Sequence, residues 1–186
     1  MEIAIPCETF SAAHLVMDGV HLAYNDGLLH VAHPLFLTQY AAVKGMDRMT
    51  NPGSGTEDAV LALVLSDALA AFVRAFEHAI VEHVHRLCYA GKEPLDATRQ
   101  RCATLATDVL TVQVCCRTMP GWQVGLSILP VPDAQRPAAG DQVRVAVRPS
   151  LWLANGHYGI HWHVVWGAIL PDQLASRSAA MASTPK

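Results

Sequence analysis

At 186 residues the chain is an ordinary size for one domain and can bury a core without disulfide or metal staples. It is 52% apolar and 16% charged, which excludes general disorder, and its net charge of −3 with three lysines gives little support to a broad phosphate-backbone footprint. The five cysteines are scattered, include the adjacent pair Cys115-Cys116 and form no CxxC pattern, which fits reduced thiols in a cytoplasm. MEIAIPCETF has no basic region followed by an apolar block, so no secretory signal is expected. The longest apolar run, Ala59 to Val73, is broken by Ser66 and Asp67 and falls short of the roughly 20 residues that span a bilayer. A cytoplasmic protein is expected, with no membrane contact and with nucleic acid an unfavoured partner.

The amino-terminal part reads as β structure. After a strand at Glu2 to Ile5, the stretch Phe10 to His33 reads as a three-stranded meander, turning at Asp18-Gly19 and Asp26-Gly27, dipeptides that accept positive φ in tight hairpins. That register pairs Met17 with Val20, His14 with Ala23 and Ala23 with His30. Side chains alternate along a strand, so His14, His21 and His30 share one face, and Leu15, Met17, Leu22, Tyr24 and Val31 share the other.

The middle of the chain reads as helical. Pro34 opens a helix to about Arg48, Thr56 caps a second that runs to Tyr89 before Gly91, and Asp96 caps a third, Ala97 to about Cys116. β structure returns with a strand over Gln123 to Leu129 and a hairpin, Gln142 to Leu153 and His157 to Leu170, about Asn155-Gly156. In that hairpin Val147 pairs Val164, Val145 pairs Trp166 and Arg148 faces His163. Arg144, Arg148, His161 and His163 lie on its polar side, where they suit an anion or an acidic partner. Residues 175–186 are small and polar, and read as a disordered tail to a single domain, 1–174.

Nine of the ten histidines fall in three groups. His14, His21 and His30 on adjacent strands have the donor set for one divalent ion, Zn²⁺ or Fe²⁺, with a position left open. His78, Glu82 and His85 share a helix face, where Glu82 suits pairing with His78, while His83 falls on the buried side. His157, His161 and His163 form the third group. The string His161-Trp-His163 resembles the His-x-His strand of rolling-circle nickases, but Arg148 opposite His163 would repel a cation.

Two family resemblances fall on the meander. Phe10-Ser-Ala-Ala-His14 resembles the first strand of the 6-pyruvoyl-tetrahydropterin synthase family, and the order strands, helices, strands is similar to its tunnelling fold. This resemblance implies a zinc-binding histidine at His14. Asp26-Gly-Leu-Leu-His30-Val-Ala-His33, running into Leu35 to Tyr40, resembles the loop that enters the central helix of hot-dog thioesterases. Gly140-Asp-Gln-Val-Arg-Val145 is similar to one of their later strands. That resemblance implies Asp26 as the acid or base acting on a thioester, with His30 beside it.

The sequence therefore predicts an α+β fold, an antiparallel sheet from both ends of the chain packed on two or three central helices. It predicts a small-molecule enzyme or binding protein. The site would be on the meander, with Asp26 and His30 as catalytic groups and His14, His21 and His30 as metal ligands. The alternatives are a non-catalytic assembly or adaptor subunit, as a homo-oligomer or in a larger complex, and a hot-dog-like thioesterase.

Overall fold

The computed structural model describes residues 3–50, 57–115, 119, 121–124, 127–130 and 137–170. Its strands are β1 (Ala4–Pro6), β2 (Leu15–Asp18), β3 (His21–Asn25), β4 (His30–Ala32), β5 (Leu35–Leu37), β6 (Ala41–Thr50) and β7 (Glu57–Val64). After the helices α1 (Asp67–Val84) and α2 (Leu95–Gln100) come β8 (Val109–Cys115), β9 (Gly121–Val124), β10 (Ser127–Pro130), β11 (Gln142–Ala154) and β12 (His157–Ile169). Strands dominate, so the α+β expectation of a sheet on two or three central helices is corrected. One long helix remains.

Nine strands form one sheet in the order β1-β5-β11-β6-β7-β8-β12-β9-β10, and β11 also pairs β12. Within it β6, β7, β8, β12 and β11 close into a ring. The β6–β7 and β7–β8 pairs are antiparallel, β8–β12 is parallel, and β12–β11 and β11–β6 are antiparallel. Numbered along the chain, the ring runs first, second, third, fifth, fourth and back to first. That is the order of the OB-fold, a five-stranded Greek-key barrel.

The three segments read wholly or partly as helix contain strands because alternation outweighs helical spacing in each. Ala41 and Val43 point inward from β6, and Leu110, Val112 and Val114 from β8. β7 misleads for a different reason. Its inward Ala59, Leu61 and Leu63 alternate with outward Val60, Ala62 and Val64, so both faces are apolar and the period is hidden. The helix begins only at Ser66, whose Oγ accepts the Leu69 N–H at 3.3 Å. α1 then lays Phe72 and Phe76 against Phe36 of β5 and Trp162 of β12, with ring centroids 4.9 to 5.8 Å apart. Each such aromatic pair adds about 0.5–1.5 kcal/mol beyond simple burial.

The meander forms its own sheet, β2-β3-β4, with the expected faces but a slipped register. Asp18 pairs His21, so the first turn is Gly19-Val20, with Gly19 at φ +57°. β-branched Val20 resists positive φ, and the turn takes its glycine at the first central position. The second loop is widened to four residues, because Asp26 Oδ1 accepts the N–H groups of Leu28 and Leu29 at 2.9 and 2.8 Å. Each slip is two residues, which keeps inside and outside but moves every partner. Leu15, Leu22 and Tyr24 are buried as the alternation predicts. His14 leaves the strand for a short 3₁₀ turn, Ala12–His14, where a first strand of the pterin synthase type was expected. The helix that a hot-dog fold requires after His33 is absent, since Leu35–Leu37 is strand. The predicted tail, 175–186, lies outside the described residues.

Candidate functional site

The β11–β12 hairpin has the predicted turn and, beyond one bulge, the predicted register. Asn155 and Gly156 both take positive φ, Val147 pairs Val164, and Arg148 pairs His163. The bulge between Ala146 and Val147 sets Val145 against Gly167 instead of Trp166. Alternation then places Arg148, Ser150, Trp152, His161 and His163 on the outer face of the barrel.

Registers across the barrel continue this face over four strands. Val60 of β7 pairs Gln113 of β8, Gln113 pairs His163 of β12, and His163 pairs Arg148 of β11, making one outward row. The next positions along are Ala62 opposite Thr111 and Ser150 opposite His161. At the hairpin end Trp152 lies across Gly159, where a Cβ would come within 2.7 Å of the indole. Only a glycine leaves room for that ring. From Trp152 the rings step to His161 at 6.0 Å and on to His163 at 6.0 Å. A cavity of about 360 Å³ opens beside this ladder, lined by Val60, Thr111, Gln113 and His161, with Thr104 and Thr107 from the loop before β8.

Polar contacts tune the row. His163 Nε2 lies 3.1 Å from Ser150 Oγ. Partial burial, then His161 and Arg148 nearby, depress the His163 pKa, while Asp58 works in the opposite sense. Arg144, expected beside Arg148, turns elsewhere. Its Nε donates to the Thr38 carbonyl at 3.1 Å. The tip of the hairpin is tethered, with Tyr89 Oη donating to the Gly156 carbonyl at 3.0 Å. Arg101 reaches the same carbonyl at 3.4 Å while Glu93 holds its guanidinium on two oxygens.

The three histidines singled out on the meander are not brought together into one group. His14 Nδ1 lies 3.2 Å from Tyr24 Oη, His21 faces His33 with centroids 6.4 Å apart, and His30 pairs Asn25 across β3–β4. Among the described residues no group of three or more His, Cys, Asp or Glu could hold a metal ion. The expected Zn²⁺ or Fe²⁺ ligand set of His14, His21 and His30 is corrected on that geometry. Asp26 shares a shallow pocket of about 230 Å³ with His14, Tyr24 and Thr9. Its carboxyl is held below the usual range, chiefly by the N–H groups of Leu29 and Leu28 that fold its own loop. On the long helix the expected His78–Glu82 pair forms at 3.4 Å, and His83 Nε2 lies 2.9 Å from the Gly19 carbonyl.

Sequence reasoning passed over Trp152, Thr111, Gln113 and Val60. The signal for Trp152 was present, since the Asn155-Gly156 turn sets it opposite Gly159. The other three were hidden by reading β7 and β8 as helix.

No protein-family model matches the chain, and no curated protein is similar to it. Among the solved structures similar to it are three of the single-stranded DNA-binding protein from bacteriophage Enc34. The complex with single-stranded DNA is 10% identical with a TM-score of 0.48, over 83% of this chain and 92% of that one. The C-terminal truncation is 11% identical at 0.44, over 86% and 96%, and a third structure is 13% identical at 0.46, over 83% and 88%. With the meander histidines scattered and the main sheet closed in the OB-fold order, the small-molecule reading on the meander is corrected. So is the expectation that nucleic acid is an unfavoured partner. No helix among the described residues is long and apolar enough to cross a membrane.

Proposed function

We propose that the protein binds single-stranded nucleic acid across the outer face of β7, β8, β12 and β11. The observation that carries this reading is the barrel order together with what its outer face displays. OB-folds bind oligonucleotides on the face of their second and third strands, which here are β7 and β8. Beside those strands runs the ladder Trp152, His161, His163, with Arg148 at the end of the row. Aromatic rings stack on any base, and a guanidinium neutralises the backbone, so the combination suits a strand of mixed sequence. A duplex hides its bases and would gain little from the ladder. The free thiols of Cys7, Cys88 and Cys102 support a reducing, cytoplasmic setting.

The test is anisotropy of a labelled single-stranded oligonucleotide at low salt, with a duplex of the same sequence as control. Single-strand binding is expected to exceed duplex binding. Trp152→Ala should cost about 1–3 kcal/mol, the worth of one stacked base. Binding that ignores Trp152→Ala, or that favours the duplex, would overturn the reading.

A further inference from the structure

The proposed face has a charge problem. Single-stranded nucleic acid carries a negative charge at every nucleotide, and this chain is itself negative at neutral pH. Arg148 is the fixed cation in the row Val60, Gln113, His163, Arg148. Arg144 is engaged with the Thr38 carbonyl. The other group in that row able to become a cation is His163, with His161 two residues away on β12 and ring centroids 6.0 Å apart.

We infer that His163, beside Arg148 and His161 on this face, takes up a proton as the nucleic-acid backbone arrives, so that binding is proton-linked and tightens as pH falls through the imidazole range. The inference rests on the nucleic-acid reading above and adds a mode of regulation to it. The groups that face His163 are Arg148 on β11, His161 on its own strand, Asp58 on β7 and the Cys115 thiol one outward position along β8. Burial and the first two disfavour its charge in the free protein, and Asp58 favours it. A phosphate set beside the His163 ring reverses the balance. It supplies a negative partner to the His163 imidazole, and Ser150 Oγ, 3.1 Å from His163 Nε2, stands ready to accept from the protonated ring. His161, exposed and between Trp152 and His163, can offer a ring face to a base and an N–H edge to the backbone. By linkage, each imidazole whose pKa rises by about one unit on binding strengthens it by up to about tenfold in acid.

The experiment is an anisotropy titration of a single-stranded thymidine oligonucleotide at about pH 5.5 and about pH 8, each over a range of salt. The expected result is tighter binding at the lower pH and a slope of log K against log salt that steepens by about 0.7 per protonated imidazole. Calorimetry in two buffers of different ionisation enthalpy is expected to show net proton uptake near pH 6.5. The double variant H161Q/H163Q should lose most of the pH dependence. Binding of equal strength and slope at both pH values would overturn the inference while leaving the nucleic-acid reading intact. So would an H161Q/H163Q variant that keeps the full dependence. Absence of binding at both pH values would overturn the nucleic-acid reading itself, and the inference with it.

Discussion

Glu77 sits on the buried side of α1 with 1% of its surface exposed, and its Oε1 accepts the Ala106 N–H at 2.7 Å. Burial raises its pKa, and the Ala106 hydrogen bond and Arg99 only partly offset this. A carboxyl raised in the folded state holds its proton where the unfolded chain has lost it. Its contribution is therefore complete below the unfolded value, about 4.3, and is lost as pH rises through the folded one. Glu77→Gln keeps an acceptor for Ala106 and removes the charge. Its thermal midpoint is expected to exceed that of the wild type at neutral pH, with the gap closing in acid. Glu77→Ala leaves the half-buried Ala106 N–H without that partner and should cost about 1–3 kcal/mol in acid, and less at neutral pH, where the buried charge is removed as well. Thermal unfolding followed by circular dichroism across pH separates the two effects. Because Ala106 belongs to the loop that lines the cavity beside His161, the same carboxylate also fixes one wall of the proposed site.

Among the elements, the β11–β12 hairpin gives the sharpest handle on function. Gly159 exists as glycine because the Trp152 indole occupies the space of a side chain there. Gly159→Ala should push the ring off the strand and weaken single-strand binding to about the extent of Trp152→Ala, roughly 1–3 kcal/mol, with the barrel still folded. Anisotropy beside a circular-dichroism spectrum checks both halves of that expectation. This hairpin was also the element most legible in the sequence, because Asn155-Gly156 fixes a turn locally and the turn fixes the register. Legibility failed where local chemistry was ambiguous. Asp18-Gly19 and Asp26-Gly27 marked the right places to turn, but Val20 and the Asp26 side chain chose different loops, and His14 was carried out of the strand. β7 and β8 were lost to a helical reading, since Val60 and Ala62 hide the alternation of β7 and the pairing partners of both are far off in sequence. With them went Gln113 and Thr111. Half of the face was thus readable as the polar side of a hairpin, and its continuation across β8 and β7 was not.

At the scale of the whole molecule, an acidic chain that binds a polyanion must do so through few charges. With Arg148 as the fixed cation of the row, the slope of log K against log salt near pH 8 should be shallow, between about −0.7 and −1.4. A slope several times steeper would place the backbone on another surface, and titration over salt decides it. The ring itself is unevenly sewn. The β11–β12 ladder runs the length of both strands, whereas β6 meets β11 at Ala42 and Gln142 and at Ala41 and Val143, and β8 meets β12 at Gln113 and His163 and at Val114 and Val164. A closed ring comes apart first at its shortest stitches. One of those stitches is the pair Gln113 and His163, at the centre of the proposed face. A strand of nucleic acid lying there would act as a clasp, holding the barrel shut where its own backbone holds it least.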